Sequence, residues 1–270
     1  MFLLLCLLII FLVLLSLDTF SYKLQNKKVD IDIPENAKFD KNFLKKCDIY
    51  VINLNETMEG RRRFSKIKSL EDEIFKRSMR FKGYYGKMYD YSKELRNNIV
   101  TDKWNVGKWK NQEDKWVSMD SGEIGVSLSH YYLWDKISLN NKVSIILEDD
   151  AIKLHSDFNN YLSFFITQLP GDWDFFLLGF WLHRGDDGKP VNNYITKVNN
   201  FVLMHAMLVS PKGARKAMEL TPIDMPIDSW LSKYSNKLNI YRHNLMDKNH
   251  HSMLIQQNRI FKQIKNTNNW

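Results

Sequence analysis

Short apolar runs alternate with amphipathic stretches from about residue 46 to residue 245, and this alternation sets the fold class. "CDIYVINL" (47–54), "KVSIILEDD" (142–150), "DWDFFLLGF" (172–180), "FVLMHAMLVS" (201–210) and "LNIYRH" (238–243) read as strands, being brief, rich in β-branched and aromatic residues and bounded by polar ones. Helical spacing lies between them. "RRRFSKIKSLEDEIF" places Phe64, Ile67 and Leu70 three apart, and "SGEIGVSLSHYYLWDKIS" places Ile124, Leu128 and Trp134 on one face with Ser121 as its expected cap. "FNNYLSFFITQL" and "DSWLSKYSN" are two more helical stretches, and "SPKGARKAMEL" opens with Ser210 as cap and Pro211 at the first helical position. Residues 78–118, rich in Tyr, Lys, Trp and Asn and weakly periodic, read as an insertion or long loop. The alternation predicts an α/β fold with a mainly parallel sheet and flanking helices.

The two ends of the pattern differ. "MFLLLCLLIIFLVLLSL" is an unbroken apolar run, closed by Asp18 and followed by Lys23, Lys27 and Lys28. It is expected to be a single-pass membrane anchor, and the lysines alone do not decide its orientation. The expected organisation is a hydrophobic signal-anchor over 1–20, a polar linker over 21–45 and a globular domain over 46–270.

Composition narrows the function classes. The formal net charge is +8 with 26% charged residues, an ordinary globular balance that favours anionic partners. No nucleic-acid module surrounds the Lys/Trp-rich stretch, so no nucleic-acid partner is expected. The two cysteines, Cys6 and Cys47, provide neither a disulfide framework nor a cysteine metal site.

The most apolar internal run ends in Glu148, Asp149 and Asp150. Ligands of open parallel sheets sit beyond the carboxyl ends of the strands, so these acids fall where a ligand would lie. On an extended strand Glu148 and Asp150 share one side and Asp149 takes the other. Two such carboxylates suit a hard divalent cation that completes its shell with phosphate oxygens and water. That arrangement suits departure of a diphosphate.

The segments "VINL", "RRRF", "GEIGVSLSH", "ILEDD", "DWDFFLLG", "GARKAM" and "PID" occur in this order. Together they resemble glycosyltransferase family 25, which includes lipopolysaccharide and collagen galactosyltransferases. The resemblance implies a GT-A-like fold, a UDP-sugar donor, Mn2+ or another divalent cation, and transfer of a hexose with inversion to a glycan or protein hydroxyl. Carried over residue by residue, it makes Glu148 and Asp150 metal ligands; His250 or His251, from the C-terminal segment, is the candidate third ligand because imidazole suits Mn2+. Asn53, Leu54, Arg61, Arg62, Glu123, Ser129, His130 and Asp149 become donor-binding candidates, with one of Arg61, Arg62 and Arg63 meeting the diphosphate. Asp228 becomes the candidate general base. Val126 stands where the family commonly has Cys, and the segment around His250 departs from the family's Pro-rich ending. A phosphohydrolase is disfavoured because Glu148 stands where that chemistry wants an Asp nucleophile. A catalytically silent sugar-nucleotide or glycan-binding module is the other reading.

Overall fold

The computed structural model describes residues 33–105, 115–153, 158–182, 188–244 and 254–256. The apolar N-terminal run and His250 lie outside the described residues. Among those described, no helix is long and apolar enough to cross a membrane. The described residues from Pro34 onward form one compact unit. Phe43 and Leu44, assigned to the linker on polarity, are buried, and Phe39 meets Phe164 at 5.9 Å, so this unit takes in the second half of that segment.

A short helix α1 (Phe43–Lys46) leads into β1 (Asp48–Asn53), followed by α2 (Met58–Lys68), α3 (Glu73–Arg77) and β2 (Met79–Lys82). Next come α4 (Ser92–Arg96) and a ribbon of β3 (Lys103–Asn105) and β4 (Trp116–Ser118). The long helix α5 (Ser121–Asn140) precedes β5 (Ser144–Glu148) and β6 (Ala151–Lys153). The chain continues through α6 (Phe158–Gln168), β7 (Phe175–Leu182), β8 (Lys189–Pro190), β9 (Ile195–Lys197) and β10 (Phe201–Val209). It ends with α7 (Pro211–Met218), α8 (Ile227–Lys233), β11 (Ile240–His243) and β12 (Leu254–Gln256).

The main sheet has the order β2-β1-β5-β10-β7-β11-β9-β8. β2, β1 and β5 are parallel, as are β7 and β11, while β10 runs against both β5 and β7. The sheet is therefore mixed, where sequence periodicity predicts a mainly parallel one. The described residues between β7 and β10 carry no crossover helix, and the chain returns antiparallel to the strand it has left. β12 pairs antiparallel with β6, Gln256 opposite Ala151, which brings the C-terminal segment back beside Asp150.

Three further local expectations change. α5 is capped by Asp120, not Ser121: the Asp120 side chain accepts from Glu123 N at 2.8 Å, and Glu123 Oε2 accepts from Asp120 N at 2.9 Å, a reciprocal capping box. The helical reading of 61–75 divides into α2 and α3, leaving Leu70 in the break. The expected long loop contains the edge strand β2 and places Glu94, 1% exposed, beneath Tyr89 and Tyr132, whose hydroxyls donate to it at 2.9 and 2.6 Å.

The core centres on α5. Ile124, Leu128 and Trp134 are fully buried, as their spacing predicts. Trp134 stacks on Trp230 at 6.0 Å and meets Phe175 edge-on at 5.9 Å, tying α5 to α8 and β7. Trp134→Ala is expected to cost about 3–5 kcal/mol of unfolding free energy, which urea titration would read as a fall in the midpoint.

Candidate active site

A cavity of about 500 Å³ opens at the carboxyl ends of β1 and β5, within the range of roughly 300–1,000 Å³ usual for small-molecule sites. It gathers Asn53, Leu54, Glu123, Ser129, His130, Glu148, Asp149, Asp150 and Asp228, nine of the residues singled out from sequence. Arg61 and Arg62 are not among its lining residues, and His250 lies outside the described residues.

The end of β1 is fixed by Asn53, 1% exposed. Its Nδ2 donates to Gly60 O and to Asp149 Oδ2, each at 2.7 Å, which uses both amide hydrogens. Gly60 leaves no room for a Cβ against the Leu54 carbonyl, so the first turn of α2 lies directly on the strand end. Asn53 Oδ1 is buried at this junction with no hydrogen-bond partner among the described residues.

β5 stops at Glu148, and Asp149 and Asp150 form a turn. The turn abolishes the strand alternation, so all three carboxylates line one cavity. Asp150 is 6% exposed. Asp149 accepts from Arg63 as well as from Asn53, the guanidinium lying 3.0 Å from Asp149 Oδ1 and 4.0 Å from Asp150 Oδ2. Arg63 also holds Glu59 at 2.9 Å. Bonds from Arg62 and Arg63 keep the exposed Glu59 carboxyl down at about 2. Arg61 instead donates to the carbonyls of Asn55 and Glu56, and Arg62 grips Glu59 in the open. Helical phase explains the difference. Arg63 falls three after Gly60 and four before Ile67, the buried residues of α2, so it alone of the three faces the sheet.

The first turn of α5 forms a second wall. The 84–86 backbone presses onto it: a Cβ on Gly86 would strike the Ser121 carbonyl, and one on Gly125 the Tyr84 carbonyl and the Gly86 amide. Ser129 donates to Gly125 O at 2.6 Å and accepts from Tyr84 N at 2.8 Å. The hydroxyl expected to meet a ligand is therefore engaged in holding this loop. Tyr84 stacks on Tyr132 at 4.9 Å, and Tyr85 and Lys87 complete the lip. His130, 1% exposed, has no hydrogen-bond partner for either ring nitrogen among the described residues, and burial pushes its pKa down to about 4, leaving the imidazole neutral.

Asp228 stands near the start of α8. Its Oδ2 accepts from Leu203 N and its Oδ1 from Ser229 N, both at 2.7 Å. Leu203 has φ 53°, a left-handed conformation outside glycine that costs on the order of 1–3 kcal/mol. It lies where the register between β10 and β7 breaks, and it lines the cavity. Burial raises the Asp228 carboxyl above its ordinary range; burial, with added repulsion from Asp120 and Asp228, raises that of Glu123.

The lining thus carries seven carboxylates (Glu59, Asp120, Glu123, Glu148, Asp149, Asp150 and Asp228) against Arg63 and Lys87. Among the described residues no three His, Cys, Asp or Glu side chains converge as a metal cage. Glu148 and Asp150 remain a two-carboxylate donor set of the kind hard cations use when phosphate and water supply the other positions. Sequence reasoning missed Asp120, Tyr84, Tyr85, Lys87 and Leu203 and left Arg63 among three; of these, helical phase alone could have found Arg63.

The raised Glu123 carboxyl has a thermodynamic signature. Above its ordinary value of 4.5 the folded protein keeps a proton that the unfolded chain has lost, so stability falls as pH rises through that interval. Glu123→Gln removes this penalty and retains an oxygen for the Asp120 N–H. Thermal melts should show the variant more stable than wild type at neutral pH and equal to it below about pH 4.5.

The profile of Glycosyltransferase family 25 (LPS biosynthesis protein) matches residues 46–201, more than half of the chain. A Glycosyltransferase 25 family member of Aedes aegypti is 32% identical over 122 residues, 42% of this chain and 20% of that protein. Procollagen galactosyltransferase 1-B of Xenopus laevis is 26% identical over 214 residues, 74% of this chain and 31% of its own length. A protein of Bos taurus named Probable inactive glycosyltransferase 25 family member 3 is 22% identical over 121 residues, 42% of this chain and 20% of its own. The chain therefore spans between a fifth and a third of the length of these relatives. The matched stretch holds β1, β5 and the first turn of α5, which build three walls of the cavity, and the chain belongs to glycosyltransferase family 25.

Proposed function

We propose that this protein is a metal-dependent glycosyltransferase of GT-A-like fold that moves a hexose, galactose or glucose, from a UDP-sugar to a glycan or protein hydroxyl with inversion. The observation that carries this reading is the convergence of Glu148, Asp149 and Asp150 on one cavity with the end of β1. Glu148 and Asp150 would hold Mn2+ or a similar cation, whose chemistry there is to neutralise charge building on the departing diphosphate. Asn53 and Leu54, which line the cavity at the end of β1, would meet the uracil. Arg63 serves the diphosphate in place of Arg61 or Arg62, since its guanidinium already lies between Asp149 and Asp150. Asp149, neutralised by Asn53 and Arg63, orients that pair. Asp228 and Glu123 are the two carboxylates with raised protonation ranges from which a base can be drawn. The apolar segment 1–20 would anchor this domain to a membrane.

A silent sugar-nucleotide or glycan-binding module is the second reading, favoured by the similarity to a relative named as probably inactive. Turnover separates the two. With UDP-galactose or UDP-glucose and Mn2+, the transferase reading expects UDP release that EDTA abolishes. Asp150→Asn should lower kcat at least about a hundredfold while the melting curve stays cooperative. Arg63→Ala should raise the donor KM about tenfold, whereas Arg61→Ala leaves it within about twofold. UDP binding by calorimetry with no release from any donor would select the sugar-nucleotide-binding module, and no UDP binding would sink both that module and the transferase.

A further inference from the structure

We propose that Glu123, on the first turn of α5, is the carboxylate that takes the acceptor's proton, and that Asp228 is a positioning residue holding Leu203. The inference rests on the transferase reading above and decides between the two carboxylates that it leaves open.

Hydrogen bonding separates them. Each Asp228 oxygen already accepts a backbone N–H at 2.7 Å, from Leu203 and from Ser229. Such bonds stabilise the anion and offset part of the rise that burial causes, and they leave neither oxygen without a donor. The Leu203 contact also has a structural duty, because that residue is left-handed without being glycine. Its N–H is held by Asp228, and its carbonyl oxygen lies 2.8 Å from His205 Nδ1, so the bend is clamped from both sides. Moving Asp228 towards an acceptor would release one side of that clamp.

Glu123 has the complementary features. It lines the same cavity, and its capping contact with Asp120 N engages Oε2 alone, leaving Oε1 for an incoming hydroxyl. The capping box fixes the side chain without consuming both oxygens, which is the preorganisation a base requires. Burial together with the charges of Asp120 and Asp228 raises its affinity for a proton, so Asp228 strengthens the base by repulsion while it shapes the wall.

The step balances without a further reagent. The acceptor oxygen forms a bond to the anomeric carbon, and the bond from that carbon to the diphosphate oxygen breaks with its electron pair leaving on the diphosphate. The acceptor's proton passes to Glu123 Oε1 and later to solvent. With water as acceptor the products are free sugar and UDP.

The test uses UDP-galactose, Mn2+ and water as acceptor, followed by sodium azide, an anionic nucleophile that has no proton to lose. Glu123→Gln, which keeps an oxygen for the Asp120 N–H, should lose at least about a hundredfold in kcat with the donor KM within about twofold. Glu123→Ala should lose as much and regain turnover with azide, yielding a galactosyl azide visible by mass spectrometry. Asp228→Ala should give no azide product. Wild-type UDP release with an unrescued Glu123→Ala, or azide rescue of Asp228→Ala instead, would overturn the assignment and leave the transferase reading intact. Absence of metal-dependent release from the wild type would overturn both.

Discussion

Crowded negative charge is the constraint around which this structure is arranged. Seven carboxylates share one cavity lining with two cationic side chains, and each needs a neighbour that makes its charge tolerable. The solutions differ by wall. Asp149 is satisfied by Asn53 and Arg63, so β1 and α2 are drawn onto the end of β5. Asp120 and Glu123 spend charge on the open N–H groups of a helix start, where the helix dipole also favours anions. Asp228 spends its charge on two backbone N–H groups. Secondary structure and electrostatics are thus solved by the same contacts.

This division gives the cavity two unlike halves. Around β5 the acids lie beside a guanidinium, which suits a site that handles a metal and phosphates in turn. Around α5 and α8, Glu123 and Asp228 meet backbone donors and, for Glu123, the charges of neighbouring acids, and both carboxyls hold their protons more tightly. The antiparallel β10 joins the halves. It runs beside β5 at one end and carries the Leu203 bend at the other, a geometry that an all-parallel sheet would not provide.

Much of this was legible in the sequence where local rules govern. β1, β5, β7, β10 and β11 follow from apolar runs, and the buried face of α5 follows from the spacing of Ile124, Leu128 and Trp134. Ser210 and Pro211 cap α7 as composition dictates. The edge strand "MRFK" was hidden because an exposed edge needs no apolar run, and three of its four residues are exposed. The direction of β10 is a tertiary property that periodicity does not encode. In the site, strand-end position found the three acids, yet strand alternation misplaced Asp149 because the chain turns after Glu148. The Leu203 bend had no sequence signal, since leucine is a poor residue for that conformation and only its partners sustain it.

The two margins of the main sheet bear on how the protein behaves in crowded solution. An unpaired strand margin is a template for a neighbouring chain unless something blocks it. On one margin, β2 presents Arg80 lodged over the Phe64 ring at 4.0 Å and Lys82 paired with Glu56 at 2.9 Å. On the other, β8 is only Lys189 and Pro190, too short to extend and lacking one amide hydrogen. A second molecule adding a strand at either side would have to bury like charges or meet a proline. The sheet is finished at both sides, and resistance to ordered aggregation follows from four residues that take no part in the cavity.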